Sequence, residues 1–428
     1  MGLTLPGRPP TLAALMRSSQ RFPRPWTWLG GTVVAVVVGS GLLAGCGAGP
    51  ALAAAPRSAP LVALAASSAW KQAAPARGAK RNDMIFAISC ADAAHCWAVG
   101  DHGQGSNTLS LVEAYQGTRW AVQSSPNVSN SVTGFYQDEL YGIACPSATD
   151  CWAVGDYYEN SPGEIPLIEH YDGSAWSIVT GPTNAALNFS GATLDGISCL
   201  SSNDCWAVGE GSDTLVEQYN GSTWSIVPSA QAGNPGTDRL SAVTCSSADA
   251  CWAVGTQDYS DTYAGPITGQ PLIESYNGAS WTVVASPSLR TQTQNQLLGV
   301  SCRSANSCLA VGSLGLLYRK KHTIYSSEPL IEQLSAGTWR VAQDQVPSGG
   351  YLGGISCPTS SSCWAAGGDN AEKGMVESLS GSHWVAKTGV ARLGLNTVAC
   401  LSSSDCWAVG PASGQPAPSN SSTTFVHN

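Results

Sequence analysis

Fourteen cysteines of this chain fall into seven pairs of one spacing, C-x5-C: Cys90/Cys96, Cys145/Cys151, Cys199/Cys205, Cys245/Cys251, Cys302/Cys308, Cys357/Cys363 and Cys400/Cys406. Each pair opens a near-copy of the stretch SCLSSNDCWAVG, residues 198–209, in which a short apolar run, a turn and a second apolar run follow one another. Successive first cysteines lie 55, 54, 46, 57, 55 and 43 residues apart. A period of that size belongs to repeat architectures, in which each unit buries its apolar faces only against its neighbours. Two cysteines five residues apart face each other across a hairpin, so the spacing predicts seven disulfides, each pinning the register of one turn. Structural zinc sites favour two to four intervening residues and usually recruit His. Only six His occur, none at a common offset, so no metal and no cofactor is expected.

The second unit shows the whole repeat. Gly142 to Cys145 reads as one short strand, Cys151 to Gly155 as the next and Leu167 to Tyr171 as a third. Asp172-Gly173 supplies hairpin turn chemistry, and Trp176 to Val179 reads as the fourth strand. Four antiparallel strands per unit make the blade of a β-propeller, so the fold class is all-β with seven blades. Composition agrees, with 47 Gly, 25 Pro and only 11% charged residues. The first strands (A) carry small residues suited to crowding round an axis, and the second strands (B) are apolar on both faces, as blades packed between two neighbours require. Trp97, Trp152, Trp206, Trp252, Trp364 and Trp407 recur at one strand B position, with Leu309 in the fifth unit. They read as packing between blades.

The seventh hairpin is followed by PASGQPAPSNSSTTFVHN, which carries no evident third or fourth strand. Leu61-Val62 and Trp70 keep the nine-residue separation of Leu167 and Trp176, and Trp70 brings the fourth-strand (D) tryptophans to seven, with Trp120, Trp176, Trp224, Trp281, Trp339 and Trp384. Residues 61–75 are therefore expected to complete the last blade, which joins N-terminal to C-terminal strands. The expected organisation is a signal segment over 1–45, a tether over 46–60, the propeller over 61–410 and a disordered tail over 411–428.

The amino terminus reads as an export signal. Arg8, Arg17, Arg21 and Arg24 precede an apolar stretch ending in Leu43-Ala44-Gly45-Cys46. That tetrapeptide resembles the lipobox of bacterial lipoproteins, which implies lipidation at Cys46 and an extracellular protein attached to the cell membrane. An oxidising compartment agrees with the paired cysteines. The segment takes four arginines and no acid from totals of 20 and 29, leaving 16 basic and 29 acidic side chains, a net of −13. Phosphate backbones repel such a surface, so nucleic acid is not expected as a partner.

With its apolar strand, Gly, Tyr and Trp in sequence, the unit resembles the kelch and galactose-oxidase type of seven-bladed propeller. It departs from that type in having one Gly after strand B in most units and cysteines in the hairpin. It is also similar to exported bacterial proteins with Cys-Trp-Ala-Val-Gly repeats, which have no assigned activity. Both resemblances imply fold alone.

The A–B and C–D turns are short and uniform, while the B–C and D–A connections vary, so binding is expected on the face that carries the latter. Stacking candidates there are Tyr136, Tyr157, Tyr158, Tyr259 and Tyr263, with Asp156, Asp258 and Asp261 as hydrogen-bond acceptors. Aromatic rings beside carboxylates suit sugar rings. Arg319-Lys320-Lys321-His322 forms the one basic cluster, suited to anionic wall polymer or lipid headgroups. Glu113, Glu169, Glu217, Glu274, Glu332 and Glu377 recur in strand C. A residue present in six units serves the fold, and these are expected to accept hydrogen bonds from a neighbouring strand or turn. The reading is a surface-anchored binding or scaffold module for polysaccharide or a cell-surface protein. A glycan-active hydrolase or lyase using carboxylates of the variable face is the alternative, and no catalytic residue stands out.

Overall fold

The computed structural model describes residues 70–428 except 81, 105–106, 129–135, 160–162, 183–190, 231, 234–235, 261–267, 288–293, 316–326, 343–348, 372, 381–382 and 411–422. Among the described residues every strand belongs to one of seven four-stranded antiparallel sheets, and there is no helix. Strands A to D run in order within a blade. Blade 1 is Asp83–Asp92, His95–Gln104, Asn107–Gln116 and Trp120–Gln123; blade 2 is Tyr136–Ser147, Asp150–Glu159, Ile165–Tyr171 and Trp176–Ile178. Blades 3 to 6 occupy residues 193–226, 239–283, 295–341 and 351–391.

Blade 7 closes the ring with both ends of the chain. Its strands A and B are Thr397–Ser402 and Asp405–Gly410, strand C is Thr424–His427, and strand D is Lys71–Gln72, which follows the buried Trp70. The N-terminal contribution is one strand, and the third strand lies where the sequence suggests a disordered tail. The propeller thus extends past residue 410 to the end of the chain. Leu61-Val62 lies outside the described residues; Thr424–His427 fills the place expected for it because its alternating side chains fit that seam, Phe425 and Val426 being buried on opposite faces.

All seven C-x5-C pairs are disulfides, each tying strand A to strand B beside its turn: Cys90–Cys96, Cys145–Cys151, Cys199–Cys205, Cys245–Cys251, Cys302–Cys308, Cys357–Cys363 and Cys400–Cys406. They also pack into the seams. The second cysteine of every pair, Cys96, Cys151, Cys205, Cys251, Cys308, Cys363 and Cys406, is at most 3% exposed and belongs to an apolar core cluster. The first cysteines pack half-buried against the same clusters. Strand B is sandwiched between two neighbouring blades, so a sulfur on it becomes packing material as well as a cross-link. None of these second cysteines is a surface site residue.

The glycines have local reasons. A bulge in strand A between Leu140 and Gly142 turns the Glu139 carbonyl toward strand B, where a Cβ on Gly155 would sit 1.9 Å from that oxygen. The same bulge recurs opposite Gly100, Gly209, Gly255, Gly312 and Gly367. Near the axis, a Cβ on Gly196 would meet Ala242 Cα at 2.9 Å, so the small residues of strand A permit the close approach of blades.

There is no single core. Seven apolar clusters each join two adjacent blades, as where Trp97, Val99 and Val112 of blade 1 pack on Leu140, Leu167 and Trp176 of blade 2. At each seam the strand B Trp meets the strand D Trp of the next blade edge to face. The pairs Trp97–Trp176, Trp152–Trp224, Trp206–Trp281, Trp252–Trp339, Trp364–Trp70 and Trp407–Trp120 have centroids 5.3–5.5 Å apart and planes at 71–84°. That geometry aligns ring edge with ring face, worth about 1 kcal/mol per pair beyond burial. At the blade 5–6 seam Leu309 packs with Trp384 instead.

The six strand C glutamates are fully buried in these seams. Glu169 accepts a hydrogen bond from Ser125 Oγ of the preceding blade at 2.6 Å, Glu274 from Ser229 Oγ at 2.8 Å, Glu332 from Ser286 Oγ at 2.9 Å, and Glu113 from Thr423 Oγ1 at 3.1 Å. Each Ser stands five residues after its strand D Trp. In blade 2 that position is Gly181, and both carboxyl oxygens of Glu217 are without a partner. In blade 7 the glutamate's own place is taken by Val426. Burial pushes Glu113, Glu169 and Glu217 up to about 8, and Glu274 and Glu332 to about 7, the hydroxyl donors opposing that rise where they are present. A second set of latches lies nearer the axis. Ser89, Ser198, Ser301 and Ser356 each accept, through Oγ, the amide of the next blade's first cysteine at 3.0–3.2 Å.

Candidate functional site

Strand A starts, strand B ends and strand C starts all emerge on one face, the face of the variable connections. The residue following the strand B glycine marks its rim. It reads Asp101, Asp156, Glu210, Thr256, Ser313 and Gly368 in blades 1 to 6, each paired across the ladder with Met84, Glu139, Thr193, Arg239, Gln296 and Tyr351. Blades 1–3 therefore carry acids at this position, while blades 4 and 5 carry Arg239 and neutral polar groups.

In blade 1, His102 Nδ1 contacts the buried carboxylate of Asp83, and Lys80 Nζ lies 3.0 Å from His102 Nε2. The tautomer that satisfies both contacts carries the proton on Nδ1, with Nε2 accepting from the ammonium. Asp83 also accepts the Lys80 amide at 2.6 Å, so the trio fixes the entry of the chain into strand A.

In blade 2, Tyr141 OH donates to Glu139 and lies 3.2 Å from Asp156 Oδ1. Thr108 Oγ1 of blade 1 adds a bond to Glu139 at 3.0 Å. Glu139 and Asp156 thus converge on one phenol, and Glu139 is tied to the neighbouring blade as well.

In blade 4, Asp238 accepts the amide of Gly233 at 2.8 Å and that of Asp258 at 2.9 Å, joining the D–A connection to the end of strand B. Asp258 is held at φ 51°, a left-handed conformation that Asp tolerates better than most residues. Next to it the buried Arg239 donates to Gln296 Oε1 of blade 5 at 3.3 Å; Gln296 also accepts from Gln294 and donates to Ser313 Oγ at 3.2 Å. Buried polar groups at these strand ends hold the bases of the variable loops.

The expected site residues separate on this frame. Tyr136 begins strand A of blade 2, half-buried, its amide donating to Asn107 Oδ1 at 3.3 Å. Tyr157 is half-buried against the blade 1–2 core, and Tyr158, one residue on, is also half-buried. Asp156 is 4% exposed. Asp258 presents its amide to Asp238. The Tyr259 backbone lies in strand B of blade 4, and its side chain is outside the described residues, as are Asp261, Tyr263, the basic run 319–322 and Cys46. The structure thus gathers Tyr136, Asp156, Tyr157 and Tyr158 in blade 2 and sets Asp258 two blades away.

Sequence reading missed Asp83, Glu139, Tyr141, Asp238 and Arg239. A signal was present: a polar residue directly before the first Leu of strand A, as in Glu139-Leu140, Arg239-Leu240 and Gln296-Leu297, marks the rim.

No protein-family model matches the chain, and no curated protein does. Solved structures do. YCF48 from Cyanidioschyzon merolae superposes with a TM-score of 0.53 at 13% identity, over 84% of this chain and 99% of that one. YCF48 bound to D1 peptide gives 0.51 at 13% identity, over 85% and 96%. The RRP9 WD40 repeats give 0.52 at 10% identity, over 85% and 98%. At these identities the likeness is one of fold, and that fold is the seven-bladed β-propeller.

Proposed function

We propose that the chain is an exported, membrane-anchored binding module that receives a protein partner on its variable face. The observation that carries this reading is the face of variable connections, whose strand ends are braced by the buried polar side chains Asp83, Glu139, Asp238 and Arg239. A rigid frame displaying variable loops suits recognition. A propeller of similar shape, YCF48, has been seen with a peptide bound, which supports a protein ligand. Polysaccharide stands second, because Tyr157 packs on the core rather than offering a free ring face. A glycan-cleaving activity stands behind both, since Glu139 and Asp156 are both engaged by Tyr141. Export and attachment rest on the lipobox at Cys46 and on seven disulfides, which persist in oxidising compartments.

A photo-crosslinking residue in place of Tyr158, expressed in the native host, tests the reading. Capture of one protein, absent when the crosslinker stands instead at the exposed Ser174 of the opposite face, is the expected result. Retention on a glycan array with no protein captured would transfer the assignment to polysaccharide. Amino-terminal mass analysis reads the anchor directly: a mature chain beginning at diacylglyceryl-Cys46 is expected.

A further inference from the structure

The outermost strand of blade 1 is covered by the chain itself. On its way from blade 7 into blade 1, the segment around Arg77 lies parallel to strand D: Arg77 N donates to Trp120 O at 2.9 Å, and Val122 N donates to Arg77 O at 3.0 Å. Gly78 sits against Val122, where a Cβ would meet that side chain at 3.5 Å. This adds, over one bridge, a fifth strand to a four-stranded blade.

The same edge recurs in blades 2 to 5. Val122 pairs with Glu113 on its inner side, and Ile178, Ile226, Val283 and Val341 pair in the same way with Glu169, Glu217, Glu274 and Glu332. Backbone groups alternate in direction along a strand, so identical register sends the carbonyl of each strand D Trp and the amide two residues later outward, as in blade 1. Where Val122 is half-buried, its counterparts are exposed: Ile178 41%, Ile226 36%, Val283 41% and Val341 44%. An outward backbone pair beside an exposed β-branched side chain is what an added strand needs.

We propose that the outer edges of blades 2–5 bind an extended, small-residue, basic segment of a partner protein, added parallel to strand D as the Arg77 segment is added to blade 1. The occupant's chemistry comes from the interface already present in this chain. Ala76-Arg77-Gly78-Ala79-Lys80 combines small residues, which clear the β-branched side chain, with two cations on a chain of net charge −9. Each edge is short, with strand D only three or four residues long, so one site is weak and the four gain by repetition. This surface is the outer circumference and is independent of the reading given for the variable face.

The probe is the peptide Ala-Ala-Pro-Ala-Arg-Gly-Ala-Lys, the sequence of residues 73–80, added to the purified chain with its Ile and Val methyls labelled for NMR. Saturable shifts at Ile178, Ile226, Val283 and Val341, with Kd near the millimolar range, are expected. N-methylation of the peptide's Arg nitrogen deletes the donor to the Trp carbonyl and should weaken binding about tenfold. Ile178→Asp should abolish the blade 2 shifts and leave the other three. Equal binding by the methylated peptide, shifts confined to Val122, or no saturation would overturn the proposal. So would self-association of the chain that Ile178→Lys abolishes, which would assign these edges to a second copy.

Discussion

Changing Glu217 to Gln is expected to flatten the pH dependence of stability. Glu217 is fully buried at the blade 2–3 seam, neither carboxyl oxygen has a partner, and desolvation alone raises its pKa from 4.5 to about 8. The folded state holds this proton where the unfolded chain has released it, so the stabilisation is complete below pH 4.5 and is lost as pH rises toward 8. For a shift of this size the loss between pH 5 and 8 is roughly 2–4 kcal/mol from one group. Glu113 and Glu169, also near 8, and Glu274 and Glu332, near 7, act in the same direction. Together they approach the net stability of an ordinary domain, about 5–15 kcal/mol, so the wild-type propeller should weaken steeply in mild alkali. Gln has the same shape and does not ionise. The variant should therefore lose less stability than the wild type as pH rises from 5 to 8. Urea unfolding at pH 5, 6, 7 and 8 with the disulfides intact measures both curves. Parallel curves would refute the reasoning, because they would mean that Glu217 has the same proton affinity folded and unfolded.

Gly181→Ser should restore the donor that the other seams have. A Cβ there would lie 3.9 Å from Glu217 Oε2 and 3.1 Å from the end of Ile168, which must give way slightly; a gain of about 1 kcal/mol at pH 7 is expected in urea unfolding, and a loss would show that the seam has no room. Deleting residues 423–428 removes strand C of blade 7 and the Thr423 donor to Glu113, leaving strand D without its partner; a large fall in melting temperature is expected, and an unchanged one would show that the ring closes otherwise. Changing Cys199 and Cys205 together to Ala should cost about 2 kcal/mol in urea unfolding with the bridges oxidised, as befits so short a loop, and the difference from the wild type should shrink once reductant opens the wild-type bridge. Trp206→Ala opens the blade 3–4 seam opposite Trp281 and should cost about 3–5 kcal/mol.

The blades were legible because their signals are local and repeated. A C-x5-C hairpin, a Gly beside the strand A bulge and a Trp at a fixed place in strands B and D each report on contacts within a few residues or within one seam. The spacing of Cys245 and Cys251 announces their bridge, but the burial of Cys251 against the preceding blade is a tertiary fact that the spacing does not carry. Strand C of blade 7 was not legible because its signals are missing: Val426 stands where the other units have Glu, and Asn428 where they have Tyr or Leu. The site was less readable still. Tyr157 looks like a loop aromatic in sequence, but its register opposite Asp138 turns it onto the core. The bracing role of Asp238 depends on Gly233 in the D–A connection and Asp258 near the end of strand B, which meet only once blade 4 has formed. Glu217 shows the converse case, a repeated residue whose missing partner became visible only when Gly181 was placed beside it.

Closure through the last residues also sets the order of events in making the molecule. Lys71–Gln72 pairs with Thr424–His427, so the earliest strand of the propeller waits for the final residues to be synthesised before it has a neighbour. Each disulfide, by contrast, spans six residues and forms without reference to any other part of the chain. A chain delivered through a membrane pore from its amino end would meet oxidant as a string of finished hairpins and snap into a ring only on release.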